Sequence, residues 1–221
     1  MHGNSRTVSS NQGHIHPRLG DLVHRHLLSP SRRPVAEHSR RAFAQLEPLL
    51  REGRPRVLDS FCGTGHSTAA LAQRHPGHLV VGVDKSAARL DRHPPGSGDN
   101  CLLLQADCED IWRLLLQRGA RLHSHYLLYP NPWPKSRHLQ RRVQGSAAFP
   151  LLLRLGGRVE LRSNWQLYVE EFGAAMHFAG CPGVVAELAP RQPLTLFEAK
   201  YRASGQTLWR FTTHIGAFSA P

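Results

Sequence analysis

The sequence has no apolar run approaching the roughly 20 residues that cross a bilayer. No apolar stretch typical of a signal peptide follows its first residues. The four cysteines, at positions 62, 101, 108 and 181, lack the spacing of a zinc ribbon or a disulfide framework. These absences argue against a membrane protein and predict reduced thiols and a cytoplasmic location.

Acidic residues are scarce. The 221 residues contain 16 Asp and Glu against 28 Lys and Arg, a formal net charge of +12. Only three of these cations are lysines, and an excess of arginine can simply reflect a GC-rich genome. The basic residues are clustered, however, and clustered charge favours a polyanionic partner such as tRNA or another structured RNA.

The first cluster lies in residues 1–33, which carry five arginines and one acid. Scattered Ser, Pro and Gly predict a flexible basic N-terminal arm, and the spacing of Leu19, Leu22, Val23 and Leu27 offers the alternative of one short amphipathic helix. Histidines of this segment lack ligand partners at suitable spacing, so no metal site is predicted. Residues 34–221 have the length of a single domain.

Strand-like and helix-like segments alternate after residue 55. Apolar runs at 57–59, 79–84, 101–105, 126–129 and 158–161 are separated by helical patterns. This alternation predicts an α/β fold with a parallel sheet covered by helices on both faces. The runs at 184–188 and 207–215 predict a final antiparallel pair.

A glycine-containing loop, Asp-Ser-Phe-Cys-Gly-Thr-Gly at 59–65, joins the first strand to a helix. Gly63 and Gly65 allow a tight turn and a close approach of backbone to ligand. A dinucleotide site would have a third glycine where Thr68 stands. Asp84 ends the second strand, where a carboxylate can bind ribose hydroxyls, and Asp107 ends the third.

These glycines and acids resemble the S-adenosylmethionine pocket of class I methyltransferases. The resemblance implies Asp59 near the methionine amino group, Asp84 on the ribose and Asp107 near the adenine amine. The alternative is that Asp84 and Asp107 are only turn residues at strand ends.

The second basic cluster is a proline-rich loop after the fourth strand. It reads Pro-Asn-Pro-Trp-Pro-Lys-Ser-Arg-His at 130–138 and is followed by Arg141 and Arg142. Ligands of open α/β sheets bind at the carboxyl ends of strands, so this loop is expected to border the cofactor. Its arginines and the N-terminal arm are expected to contact RNA phosphates.

This loop resembles the signature of the tRNA (guanine-N7-)-methyltransferase family. Gly156-Gly157 before Ser163-Asn164-Trp165 and Tyr168, and Thr195-Leu196-Phe197-Glu198 with Gly205, resemble two further blocks of that family, and the match runs from about residue 55 to 212. The resemblance implies a Rossmann-like class I methyltransferase that forms 7-methylguanosine in tRNA. The sequence does not distinguish a monomer from a homodimer.

The resemblance also implies roles for individual residues. It places cofactor contacts at Asp59, Gly63, Gly65, Asp84, Asp107 and Asn131, of which Asn131 is also the catalytic candidate. It places substrate contacts at Lys135, Arg137, Asn164, Thr195 and Glu198.

Two of these positions depart from the family, because Asn131 and Asn164 stand where the family has aspartate. Guanine N7 has a free lone pair, so its methylation needs alignment and no general base. A carboxylate accepts from both N1–H and the amine of guanine, whereas an amide leaves one bond unmade, costing about 1–3 kcal/mol if buried.

The amides therefore leave two alternatives open. One is an amino-group methyltransferase, since Asn-Pro-Trp resembles the (Asn/Asp)-Pro-Pro-aromatic loop of that class, although the second consecutive proline is missing. The other is an RNA-binding methyltransferase-like protein that has lost turnover.

Overall fold

A computed structural model describes residues 5–29, 31–94 and 98–218, which build one seven-stranded sheet. The strands are β1 Arg56–Ser60, β2 Leu79–Asp84, β3 Cys101–Gln105, β4 Ser124–Leu128, β5 Gly157–Ser163, β6 Val184–Glu187 and β7 Trp209–Ile215. Their order is β3-β2-β1-β4-β5-β7-β6. Neighbours from β3 to β5 pair in parallel, and β7 runs antiparallel to both β5 and β6.

This arrangement confirms the predicted Rossmann-like α/β fold with a mostly parallel sheet and an antiparallel final strand. Every residue of β2 and of β4 is buried. Parallel strands covered by helices on both faces have apolar residues at successive positions, as β2 does in Leu-Val-Val-Gly-Val.

Helices cover both faces of the sheet. They are α1 Leu19–Leu28, α2 Glu37–Leu50, α3 His66–Arg74, α4 Ala87–Leu90, α5 Cys108–Gln117, α6 Phe149–Leu155, α7 Gln166–Phe178 and α8 Leu196–Ala203. Two 3-10 turns, Ser136–Arg141 and Val143–Gly145, follow the proline-rich loop. Among the described helices, none combines the length and apolar character that a bilayer crossing requires.

The N-terminal segment differs from the flexible arm that was expected. Residues 1–4 and 30 lie outside the described residues, but Leu19, Leu22, Val23 and Leu27 of α1 are buried in the same hydrophobic cluster as the helices beside the sheet. Helix α1 packs on α6 and α7. For its described part, the amphipathic-helix alternative is therefore correct, because burial of four aliphatic side chains offsets the loss of chain entropy.

The order of the strands determines where a ligand can bind. The chain moves outward from β1 through β2 to β3, then returns to place β4 on the other side of β1. The crevice at such a switch point, beyond the carboxyl ends of the strands, is the usual ligand site of open α/β sheets.

Candidate active site

A cavity of about 620 Å³ opens at this switch point. Its volume lies within the range of small-molecule sites, about 300–1,000 Å³. The loops after β1 and β4, the ends of β2 and β3, and the start of α8 line it. Its walls include Phe61, Cys62, Gly63, Asp84, Asp107, Cys108, Tyr129, Asn131, Trp133, Arg141, Thr195, Phe197 and Lys200.

Backbone strain is concentrated around this cavity. Among the described residues, three that are not glycine have left-handed φ angles: Phe61 (63°), Tyr129 (54°) and Trp133 (45°). All three line the cavity. Such conformations cost about 1–3 kcal/mol each and cluster at functional sites, where the surrounding structure holds them.

Asp84 organises the loop after β1. One carboxylate oxygen, Oδ2, accepts from the backbone N–H of Gly63 at 3.0 Å, and Oδ1 accepts from Ser86 N–H at 2.9 Å. The Arg89 guanidinium lies 3.0 Å from Oδ1. Because a carboxylate offers about four lone-pair positions, Asp84 keeps acceptor capacity for a hydroxyl at the cavity. Gly63 has a φ of 61°, which favours glycine.

Asp59 lies beneath the loop and is fully buried. Its Oδ2 accepts from the hydroxyls of Ser67 and Thr68 at 2.6 and 2.7 Å, which ties the first turn of α3 to β1. Burial raises the pKa of Asp59 to about 6, although both hydroxyls favour the ionised form. Its Oδ1 is buried without a hydrogen-bond partner, and Asp59 is not among the residues that line the cavity.

Asp107 is on the cavity rim beyond β3, partly exposed. Its carboxylate lies 3.2 Å from the Arg33 guanidinium and 3.8 Å from Nε2 of His38. The backbone N–H of Asp107 donates to the Ser39 hydroxyl. Residues before and within α2 therefore close this side of the cavity.

The acceptors in this half of the site suit S-adenosylmethionine. That molecule carries an ammonium group, a ribose diol and an adenine amine, all of which donate hydrogen bonds. The carboxylates of Asp84 and Asp107, which line the cavity, can accept from the ribose diol and the adenine amine. Cys62 and Cys108 also line the cavity with small side chains. Burial raises the pKa of both thiols far above the ordinary range, so neither is an activated nucleophile.

The proline-rich loop forms the opposite wall. Asn131 is exposed and lines the cavity, and its Oδ1 accepts from Trp133 N–H at 3.3 Å. The Arg141 guanidinium lies over the Trp133 ring, 4.8 Å from its centroid. Lys135 and Arg137 are exposed but do not line this cavity.

The structure contradicts the expectation that Arg142 contacts an RNA phosphate. Its side chain is completely buried and donates to Glu171 at 2.5 Å and to Oε1 of Gln12 at 2.9 Å. It also donates to the backbone carbonyl of Trp133 at 3.2 Å. Arg142 therefore holds the proline-rich loop against α7 from inside the protein.

Glu198 also differs from its predicted role as a substrate contact. Its side chain is fully buried, and both oxygens accept from the Arg162 guanidinium at 3.1 and 3.0 Å. Arg162 pairs with Glu160 as well. Thr195 does line the cavity, and its hydroxyl accepts from Glu198 N–H at 2.9 Å, which caps α8.

Asn164 lies outside the residues that line the cavity. Its amide donates to Oε1 of Gln206 at 2.8 Å, and Gln206 donates in turn to the backbone carbonyl of Ser5. Asn164, which stands where the family has aspartate, therefore links the end of β5 to the N-terminal segment in this structure.

An aromatic row that sequence reasoning missed borders the same wall. The rings of Tyr129 and Tyr201 are 5.6 Å apart, and Phe197 stacks on Tyr201 with a separation of 6.1 Å. Phe197 is 50% exposed at the cavity mouth. In the sequence, Phe197 lies inside the Thr-x-x-Glu block and Tyr201 follows it closely. This spacing of aromatic residues was the signal that could have predicted the row.

The absence of a metal site stays a prediction. His75, His78 and His123 bring ring nitrogens within 4.8 Å of one another. Tetrahedral zinc would need nitrogens about 3.4 Å apart. Burial lowers the pKa of His75, and the positive charge of the nearby Arg158 and Arg74 acts in the same direction.

The sheet order and the cavity at its switch point are those of the class I methyltransferase fold. A 16S rRNA methyltransferase, KamB, has the same fold with a TM-score of 0.59 at 20% identity, covering 83% of this chain and 95% of that chain. An antibiotic-related methyltransferase gives a TM-score of 0.57 at 15% identity, covering 78% and 94%. At these identities the likeness concerns the fold alone.

The family follows from sequence comparison. The family model described as "Putative methyltransferase" matches residues 53–211, and the chain belongs to that family. It is an S-adenosylmethionine-dependent methyltransferase.

Relatives named tRNA (guanine-N(7)-)-methyltransferase also match. The protein of Neisseria meningitidis serogroup A is 28% identical over 184 residues, covering 75% of this chain and 74% of the relative. The protein of Nitrosospira multiformis is 30% identical over 181 residues, covering 73% and 75%. The resemblance expected from the proline-rich loop is thereby confirmed.

Proposed function

We propose that this methyltransferase acts on tRNA and forms 7-methylguanosine. The observation that carries the proposal is the meeting of two walls in one cavity: the ends of β2 and β3, with Asp84 and Asp107, face the proline-rich loop with Asn131 and Trp133. The relatives named for this reaction support the choice of acceptor. A tRNA substrate also agrees with the expected cytoplasmic location.

The reaction asks little of the protein beyond alignment. When bound, S-adenosylmethionine supplies a methyl group on a sulfonium; the guanine N7 lone pair forms the new N–C bond while the S–C bond pair goes to sulfur. No proton is transferred in this step. The protein must hold N7 in line with the methyl group, and correct positioning alone can contribute several kcal/mol of rate acceleration.

The proline-rich loop and the aromatic row beside it form the base-side wall of the cavity. Residues of this wall can provide that alignment. Phe197 offers an exposed ring at the cavity mouth for stacking, and Asn131 offers an amide for an edge of the base. Because Asn131 Oδ1 already accepts from Trp133 N–H, its amide hydrogens are the groups freest to turn toward the guanine acceptor O6, which leaves the N7 lone pair free to attack the methyl group. This would make Asn131 a positioning residue compatible with guanine.

The experiment compares two transcripts of one tRNA, one ordinary and one made with 7-deazaguanosine, which has no N7. Each is incubated with labelled S-adenosylmethionine and digested to nucleosides, with ribosomal RNA as a parallel acceptor. We expect 7-methylguanosine from the ordinary transcript and no product from the 7-deaza transcript. Equal labelling of both transcripts would indicate an acceptor other than guanine N7 and would overturn the proposal.

The role of Asn131 is tested by replacing it with Asp and with Ala. Under this proposal, Asn131→Ala lowers the single-turnover rate on tRNA more than it changes S-adenosylhomocysteine affinity. An Asn131→Asp variant that changed the product from 7-methylguanosine to another nucleoside would assign base selection to this residue.

A further inference from the structure

A second cavity, of about 580 Å³, opens beside the first between α1 and the turn at Ser136–Arg141. Arg18 and Arg25 line it from the N-terminal segment, and Arg137 and Arg141 line it from the turn. Asp21 is the one acid among its lining residues. Four guanidinium groups against one carboxylate make this a concave surface of strongly positive potential, which attracts anions.

Arg141 connects the two cavities, since it lines both. Its guanidinium lies over Trp133, so the two residues together form the partition between them. A nucleotide whose base enters the first cavity past this partition must leave its sugar-phosphate backbone at the rim. The second cavity lies on that rim.

The basic cavity is preformed by contacts that hold the loop and the N-terminal segment together. The Ser10 hydroxyl donates to the Pro134 carbonyl at 2.5 Å, and Asn11 Oδ1 accepts from Ser136 N–H at 3.0 Å. Buried Arg142 donates to the Trp133 carbonyl beneath the same loop. A site held in advance loses less entropy when it binds, and guanidinium groups match the geometry of phosphate oxygens.

We propose that this basic cavity binds a phosphodiester of the substrate RNA next to the nucleotide that is methylated. Arg18 and Arg25 supply half of the charge, although sequence reasoning found no family match for their segment. Phosphate contacts carry no sequence information but determine register and orientation. The site thus deepens the proposed function, on which it rests, by giving the N-terminal segment a role in presenting the nucleotide.

The test measures the salt dependence of RNA binding with the full-length chain. Anisotropy of a labelled, unmodified tRNA transcript is recorded at several salt concentrations for wild type, Arg18→Ala/Arg25→Ala and the control Arg51→Ala. Arg51 is exposed and lines neither cavity. We expect the slope of log K against log salt to fall by roughly 0.7–0.9 in the double variant, because that is the contribution of one neutralised phosphate.

Two further measurements separate a binding role from a folding role. Arg18→Lys/Arg25→Lys keeps the charge and should keep most of the wild-type slope, and all variants should bind S-adenosylhomocysteine with unchanged affinity. An unchanged slope in the alanine variant, or an equal loss in Arg51→Ala, would overturn the proposal. So would a loss of cofactor affinity that parallels the loss of RNA binding, since that would indicate damage to the fold.

These experiments distinguish failure of the phosphate site from failure of the proposed function. If wild type forms no 7-methylguanosine but its RNA binding still depends on Arg18 and Arg25, the phosphate site stands and the assigned reaction is wrong. If wild type forms 7-methylguanosine and the double variant keeps its slope and its rate, the reaction stands and the phosphate site is wrong.

Discussion

The two walls of the cavity are built in different ways. The glycine loop and Asp84, here called the cofactor wall, are local: Gly63 and Asp84 belong to one βαβ unit, and a hydrogen bond joins them at 3.0 Å. The base-side wall is assembled from distant segments, with hydrogen bonds from Ser10 to Pro134 and from Gln12 to Glu171 that join positions 124 and 159 residues apart. The comparison teaches that the binding of the methyl donor and the presentation of the base depend on separate sets of contacts.

The largest effect should come from the buried pair beneath the base-side wall. Arg142→Ala leaves Glu171 buried without its cation, so the free energy of unfolding should fall by about 3–5 kcal/mol. Urea denaturation measures this loss. The matched control is Arg141→Ala, which removes an exposed arginine from the same turn and should cost well under 1 kcal/mol. Equal losses in the two variants would mean that the buried network does not support the loop.

The cofactor wall should respond through affinity. Asp84→Ala removes the carboxylate that accepts from Gly63 N–H and faces the cavity, so the Kd for S-adenosylhomocysteine should rise about ten- to a hundredfold, equivalent to about 1.5–3 kcal/mol. Isothermal titration measures the change. Asp91→Ala, at an exposed acid just after α4, is the control. Unchanged affinity in a folded Asp84→Ala protein would remove Asp84 from the cofactor site.

A pH experiment distinguishes Asp59 from the exposed acids. Burial raises the pKa of Asp59 from 3.8 to about 6, so the folded chain binds this proton more tightly than the unfolded chain does. Stability from this group is therefore present below pH 3.8 and lost as pH rises toward about 6.

Asp59→Asn removes the titration, which makes it the reference for that experiment. The unfolding free energy of wild type minus that of the variant should fall across this window, by at most about 1.4 kcal/mol per pH unit, and become flat above it. Urea unfolding at several pH values follows the difference. A difference that rises with pH would contradict the raised pKa.

The smallest effect should come from Asn164. Asn164→Asp places an acceptor against Oε1 of Gln206 and loses that hydrogen bond, which should cost about 0.5–1.5 kcal/mol of stability. Because Asn164 does not line the cavity, the methylated nucleoside should stay the same. Nucleoside analysis of tRNA after reaction with the variant checks this, and a changed product would place Asn164 at the base.

Sequence reasoning predicted the local cofactor wall well and the base-side wall, which is built from distant segments, less well. The alternation of strands and helices and the positions of Gly63, Asp84 and Asp107 were predictable, since alternating apolar runs and a glycine loop are local signals. The burial of Arg142 was not, because an arginine next to Arg141 has the same local pattern whether it faces solvent or Glu171. The same holds for the N-terminal segment, whose apolar residues acquire a partner only when α6 and α7 are in place.

The buried link between Gln12, Arg142 and Glu171 also orders the assembly of the protein in time. During synthesis Gln12 is made first, yet its partner on α7 follows 159 residues later, and contacts of such high sequence separation form late in folding. The glycine loop and β2 can form while the chain is still being made. A newly made chain would therefore form the part of the cavity that binds the methyl donor before the part that presents the nucleotide. It would be able to bind RNA productively only after α7 has packed against the N-terminal segment.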